Sequence, residues 1–410
     1  MSKLKEYCIN ITDGEHGSVK EDLSGEYYFL NNNNITSNGI IIKPDDRRIS
    51  ITEFDRIHKR TKLAAGDIVI ATCGTIGKCQ VIRDEKINFD FSRSVGIIKC
   101  DSSRLLPDFL YYYLINPHTQ NRIKKISEGG VQKHFYIGAM QEFDIEVPPI
   151  DIQRKIIAVL SAIDKKIQYN NKINDNLQHQ LKLLYDYWFT QFDFPDENGK
   201  PYRASGGAMV WCDELQREIP KGWKVSTLSD IAVLQAKSVM PQAGTAYNHY
   251  SIPAFDDTHS PAVEDGEAIA SNKYVVPDNS VLVSKLNPQF KRIWLIIDST
   301  DNAICSTEFL PVKATETGVY ALYSLLCSDA FSVHLIQNAS SSTGSRKRID
   351  PDNCMSYKFP YDQKVFARFD KAIQPLLMKI TGIPTETQAL AALRDWLLPM
   401  LMNGQATISD

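Results

Sequence analysis

The chain has 410 residues, 43% hydrophobic and 23% charged. That length exceeds one ordinary core of roughly 100–200 residues, and that composition excludes a largely disordered polymer. With 46 Lys+Arg against 49 Asp+Glu and a net charge of −3, the chain is no polycation, so any nucleic-acid contact has to come from local basic patches.

No run of about 18 apolar residues occurs, so no membrane span is expected. The opening Met1-Ser-Lys-Leu-Lys-Glu-Tyr lacks the apolar core of a signal peptide. The eight cysteines, at 8, 73, 79, 100, 212, 305, 327 and 354, form no Cys-x-x-Cys and no zinc spacing with histidine. They are expected to be reduced thiols of a cytoplasmic chain that holds no metal.

In chain order, a first globular module is expected over 1–150. His16, in Asp13-Gly-Glu-His-Gly17, lies in a turn, where it caps the turn or meets a phosphate. Gly66-Asp-Ile-Val-Ile70 follows a turn signal and predicts a strand. Ala71-Thr-Cys-Gly-Thr-Ile-Gly-Lys-Cys79 resembles a phosphate loop but has Thr72 where the first glycine belongs and Cys79 where the magnesium-binding hydroxyl belongs. A tight turn presenting Thr75 and Lys78 is the expectation. Phe91-Ser-Arg-Ser94 presents Arg93. Gly129-Gly-Val-Gln-Lys-His134 places Gln132, Lys133 and His134 after flexible backbone, and Phe143-Asp-Ile-Glu-Val-Pro148 closes the module.

A long helix is expected over 151–192, started by Pro148-Pro149. Its apolar positions recur in heptad steps: Ile156, Leu160, Ile163 and Ile167, then Leu177, Leu181, Leu184 and Trp188. Asn170 and Asn174 fill the two seam positions between, where polar residues cost stability but fix register. At ~1.5 Å per residue this seam is about 50 Å long, against about 34–36 Å for one turn of duplex DNA. Residues 193–222 are expected to be a connector loop, with Pro195-Asp-Glu-Asn-Gly-Lys-Pro201 and Ser205-Gly-Gly207 as turn chemistry.

A second module follows over 223–361. Its landmarks repeat those of the first at offsets of 211–214: Asn279-Ser-Val-Leu-Val283, Tyr320-Ala-Leu-Tyr-Ser-Leu-Leu326, Thr343-Gly-Ser-Arg-Lys-Arg348 and Met355-Ser-Tyr-Lys-Phe-Pro360. Ser345, Arg346, Lys347 and Arg348 then match the basic stretch of the first module. Arg and Lys there can neutralise phosphates or bond guanine edges, and Gln can bond adenine, the alternative being a solvated charged turn. Asn287-Pro-Gln-Phe290 is similar to the aromatic tetrad of amino-methyltransferases. No Gly-x-Gly exists for a cofactor loop, and a loop carrying Lys285, Lys291 and Arg292 outward is the alternative. No nuclease constellation is present in the sequence. A second helix is expected over 362–410, its seam running Phe369, Ile373, Leu376, Ile380, Ile383, Leu390, Leu393 and Leu397. A break or kink is expected at Gly382 and Pro384, and Pro399 and Gly404 are expected to close the helix.

These patterns resemble those of the specificity subunits of type I restriction–modification enzymes. Pro148-Pro149, Gln153, Ile157-Ala158, Leu160, Ile163-Asp164 and Ile167 fit the family's half-terminal pattern. Leu390, Leu393-Arg394-Asp395, Leu397-Leu398-Pro399, Leu401 and Gly404 fit its C-terminal helix. Gly66-Asp67-Ile68 through Gly74-Thr-Ile-Gly-Lys78, and Glu128-Gly-Gly-Val-Gln-Lys133, resemble its recognition segments. The second module departs: Phe359-Pro-Tyr-Asp-Gln363 lacks the second proline and the Ile-Ala, and the Gly-Thr-x-Gly-Lys turn has no counterpart.

The resemblance implies an α+β chain: two tandem α/β target-recognition domains separated by two long helices packed as an antiparallel coiled coil. Each domain would read one half of a split double-stranded DNA sequence. The chain would be non-catalytic and cofactor-free. Two modification subunits would carry S-adenosylmethionine and methylate adenine N6, and two restriction subunits with ATP and Mg2+ could join. The rivals are a methyltransferase or nuclease acting through Asn287–Phe290, and a protein-interaction scaffold that never touches DNA.

Overall fold

The computed structural model describes residues 2–37, 39–127, 134–340 and 346–406. The chain divides into two compact units, Met1–Lys165 with Leu390–Asp410, and Lys166–Ala389.

In the first unit, Cys8–Asp13, Val95–Cys100, Ile68–Ala71 and Cys79–Val81 form a four-stranded antiparallel sheet in that spatial order. Ile68 to Ala71 are all fully buried, because both faces of this inner strand are covered. Ile68 and Ile70 point into the core containing Phe109, Leu110 and Leu160, and Val69 into a second core with Phe91 and Ile97. The two-residue side-chain period of a strand distributes them so. Tyr27–Leu30 pairs in parallel with Phe89–Phe91.

The second unit repeats this plan. Ala232–Leu234, Phe309–Ala314, Ser280–Ser284 and Ile293–Ile296 form a sheet of the same order and pairing. Val281 and Val283 enter one core and Leu282 another. Ala246–Tyr250 pairs in parallel with Ala303–Cys305. Two helices follow the sheet in each unit: Pro107–Ile115 and Pro117–Ser127, then Val319–Leu326 and Asp329–Gln337.

The first long helix spans Ile150–Tyr185. Pro149 accepts the amides of Ile152 and Gln153. The buried Gln153 side chain accepts from the Leu106 amide and donates to the carbonyls of Arg104 and Pro148, tying the helix start to the module. The second long helix spans Gln363–Met402, its start capped by Asp362, which accepts from the Val365 amide. Within the second unit, Asn170 meets Glu386 while Trp188 packs on Phe369, ring centroids 5.2 Å apart, so the helices run antiparallel. Within the first unit, Ile156 and Leu160 share a core with Leu398, Leu401 and Met402.

Three expectations are corrected. The break at Gly382 and Pro384 is absent, and Pro399 does not close the helix, which is continuous through Pro375, Pro384 and Pro399. Each proline removes one ladder hydrogen bond, and packing of the buried face outweighs that loss. The connector is not a bare loop: Met209–Cys212 and Arg217–Pro220 form a hairpin, with Phe192, Phe194 and Ile219 buried around it. The seam also shifts. Leu184 and Leu393 are 40% and 44% exposed, while Tyr185, Leu377, Leu398 and Leu401 are buried. An α-helix drifts about 20° per heptad against a strict 3.5-residue repeat. Over four heptads the buried face therefore moves by about one residue, from 184 to 185. A π turn at Asp186–Thr190 then brings Trp188 and Phe189 inward. Ile163, Ile167, Asn174, Leu177, Leu390 and Leu397 are half-buried; Ile156, Leu160, Asn170 and Leu181 are buried.

Candidate nucleic-acid interface

Three surface segments meet in each unit at one backbone node. In the first unit the node is Thr72. Its amide donates to the Ser94 carbonyl at 2.9 Å, and its carbonyl accepts from the Phe135 amide at 2.9 Å. In the second unit the node is Lys285. Its amide donates to the Glu308 carbonyl at 2.9 Å, and its carbonyl accepts from the Ile349 amide at 3.0 Å. The same two bonds, 213 or 214 residues apart, gather the same three segments. These segments carry nearly all the basic residues singled out in the sequence.

On the first node, the turn between Ile68–Ala71 and Cys79–Val81 closes through Ala71 donating to Lys78 and Lys78 donating to Thr75. Gly74 and Gly77 take φ of +65° and +85°, conformations that glycine reaches without strain. Thr75 and Lys78 are exposed at its tip. Arg93 is exposed on the second segment, its amide donating to the Glu15 carbonyl at 2.9 Å. Burial pushes the Glu15 carboxyl up, but the Gly17 amide and the Arg56 guanidinium outweigh it and hold it below the usual range. His134, half-buried, stacks on Tyr136 at 5.2 Å. Gln132 and Lys133 lie outside the described residues. His16 pairs with Asp13 at 2.7 Å, capping its own turn.

On the second node, Arg346 and Lys347 are exposed. Arg348 bonds Glu308 through Nε and Nη2 at 2.9–3.2 Å. Ser345 lies outside the described residues. Of the three residues expected to face outward, Lys285 is half-buried, and its backbone is the node. Lys291 is exposed, but Nζ donates to the Cys327 carbonyl at 2.7 Å. Arg292 makes a two-point pair with Asp256 at 2.7 and 2.8 Å, its side chain 13% exposed. The pair holds the Asp256 carboxyl below the carboxylate range. Arg292 is thus a positioning residue for this surface, because a carboxylate within bonding distance already satisfies it.

Asn287 of the Asn-Pro-Gln-Phe stretch does not face an open substrate site. Its amide donates to the Lys347 carbonyl at 2.7 Å, and its Oδ1 accepts from the Lys347 amide at 3.0 Å. The residue clamps the basic segment to the turn.

Sequence reasoning missed Asn32 and Asp256. The Asn32 amide donates to Ser94 Oγ at 3.2 Å, and a Cβ on Gly74 would lie 2.8 Å from Asn32 Nδ2. The run Asn31–Asn34 was the available signal. Asp256 gave none, since it is paired with Arg292 only through folding. Among the described residues no group of three His, Cys, Asp or Glu could hold a metal ion, and no single helix is long and apolar enough to cross a membrane.

Residues 14–179 match the family model described as "Type I restriction modification DNA specificity domain". The type I restriction enzyme MjaIX specificity subunit of Methanocaldococcus jannaschii is 25% identical, over 75% of this chain and 70% of its own length. The HindI specificity subunit of Haemophilus influenzae is 21% identical, over 99% and 100%. The crystal structure of a type I restriction–modification S subunit from M. genitalium superposes with a TM-score of 0.60 at 15% identity, covering 100% of this chain and 96% of that one.

Proposed function

We propose that this chain, which matches specificity subunits of type I restriction–modification systems, is a non-catalytic reader of a split DNA sequence, with one reading surface in each unit. The observation that carries this reading is the repeated node, Thr72 and Lys285, which gathers the same three segments in both units, with exposed Thr75, Lys78 and Arg93 on the first two segments of one unit and exposed Arg346 and Lys347 on the third segment of the other. Basic side chains at these places neutralise phosphates and give a salt-dependent affinity, and polar loop residues read base edges.

Chemistry is assigned to partners. Two modification subunits, binding the chain through its long helices, supply S-adenosylmethionine and methylate adenine N6. Restriction subunits, where they join, supply ATP- and Mg2+-dependent cleavage. The assembly works in the cytoplasm. The clamp role of Asn287 weighs against a methyltransferase acting through Asn287–Phe290.

The test uses the purified chain with and without its modification partners. The assembled complex is expected to shift a target duplex in preference to a scrambled one, and the chain alone to transfer no label from a methyl donor. Label transfer by the chain alone, or equal binding of both duplexes by the complex, contradicts the reading.

A further inference from the structure

Phe290 is 54% exposed at the tip of the turn joining Ser280–Ser284 to Ile293–Ile296, where the first unit carries Thr75 and Lys78. The turn is held from several sides. Asn287 takes φ of +50° and is fastened to Lys347 at two points. Pro288 is buried, and the Phe290 amide donates to the Asn287 carbonyl at 2.9 Å. The Arg292 guanidinium lies 5.0 Å from the Phe290 ring centroid and is itself locked by Asp256. A solitary exposed aromatic is ordinary on a protein surface. This one is fixed in direction by its own turn, backed by a cation, and tied through Asn287 to the basic segment Arg346–Lys347.

We propose that Phe290 is a specificity-determining residue of the second recognition surface, making an apolar contact with the 5-methyl group of one thymine in the half-site read there. The inference rests on the DNA-reading function proposed above. Arg292 covers one face of the ring, so the ring cannot sit sandwiched between two bases; its other face and edge stay free for a methyl group in the major groove. Adenine, guanine and cytosine offer no such methyl. The neighbouring Lys347 and Arg346 supply the phosphate contacts that fix the turn against the duplex.

The experiment measures binding of the chain assembled with its modification subunits to target duplexes in which each thymine is replaced, one at a time, by uracil, which lacks only the methyl group. The half-site of the second unit is the one whose recognition changes on exchange of residues 223–361. At one thymine of that half-site the wild-type complex is expected to lose about ten-fold in affinity. Phe290→Ala is expected to bind thymine and uracil equally at that position, and Phe290→Leu to keep part of the preference. Thymines of the other half-site should respond alike in all three proteins. A half-site without thymine, or a uracil effect that persists in Phe290→Ala, overturns the assignment while leaving the reading function intact. Loss of all sequence preference by the wild-type complex overturns the reading function and this inference with it.

Discussion

Asn170, 2% exposed on the first long helix, donates from Nδ2 to Glu386 Oε2 on the second at 2.9 Å. Lys166 reaches the other Glu386 oxygen at 3.3 Å. A buried amide paired to a carboxylate in this way is satisfied only in one alignment of the two helices, which is how a polar seam residue fixes register. Asn170→Asp would set a second carboxylate against Glu386. It is expected to lower stability by roughly 2–4 kcal/mol at pH 7. The introduced carboxyl would have a folded-state pKa raised above its unfolded value. The destabilisation is therefore complete above that raised pKa and fades as pH falls through it. Thermal unfolding at pH 7.5 and pH 4.5 checks this, and a gap that widens in acid contradicts it.

Leu160 and Leu184 separate burial from heptad position. Leu160 is fully buried and Leu184 is 40% exposed. Leu160→Asp is expected to destabilise by more than about 3 kcal/mol, because it buries an unpaired charge. Leu184→Asp should change unfolding free energy by less than about 1 kcal/mol. Denaturant titration of both variants decides it.

The Asn287 clamp yields a third expectation. Asn287→Gly keeps the left-handed backbone but loses the bond to the Lys347 amide, whereas Asn287→Ala loses both. Both are expected to weaken DNA binding by the assembled complex several-fold, Ala more than Gly. Neither should alter methyl transfer once DNA is saturating.

Arg346 and Lys347 are exposed, while Arg348 is bonded to Glu308. Arg346→Ala with Lys347→Ala is expected to reduce the slope of log affinity against log salt by about 2, near 0.9 for each phosphate no longer neutralised. Assembly with modification subunits should be unaffected. Arg348→Ala should instead act by releasing the Glu308 carboxylate toward the DNA, weakening binding by more than the removal of one phosphate-neutralising charge would.

Legibility in the sequence followed the range of the interaction. The strand at Gly66–Ile70, the turn presenting Thr75 and Lys78, and the helix start at Pro148-Pro149 could be read because each depends on neighbours in the chain. The repeat at offsets of 211–214 aligned Arg346–Arg348 with Gln132–His134, of which Gln132 and Lys133 lie outside the described residues. Pairing across the fold could not be read. Nothing near Arg292 announces Asp256, 36 residues earlier, and nothing near Asn287 announces Lys347. The outward-facing expectation for Arg292 failed for that reason. The Leu184 expectation failed because a 3.5-residue repeat was extended past the point where a 3.6-residue helix leaves it.

Two surfaces on one chain are proposed to read two separate halves of a DNA sequence. Selection of bound duplexes from a random pool by the assembled complex tests this most directly, with the wild-type chain and with a chain whose residues 223–361 come from another specificity subunit. Two fixed sequence blocks at a constant interval are expected, of which the exchange alters one and leaves the other unchanged. One continuous block, or both blocks changing together, contradicts the proposal.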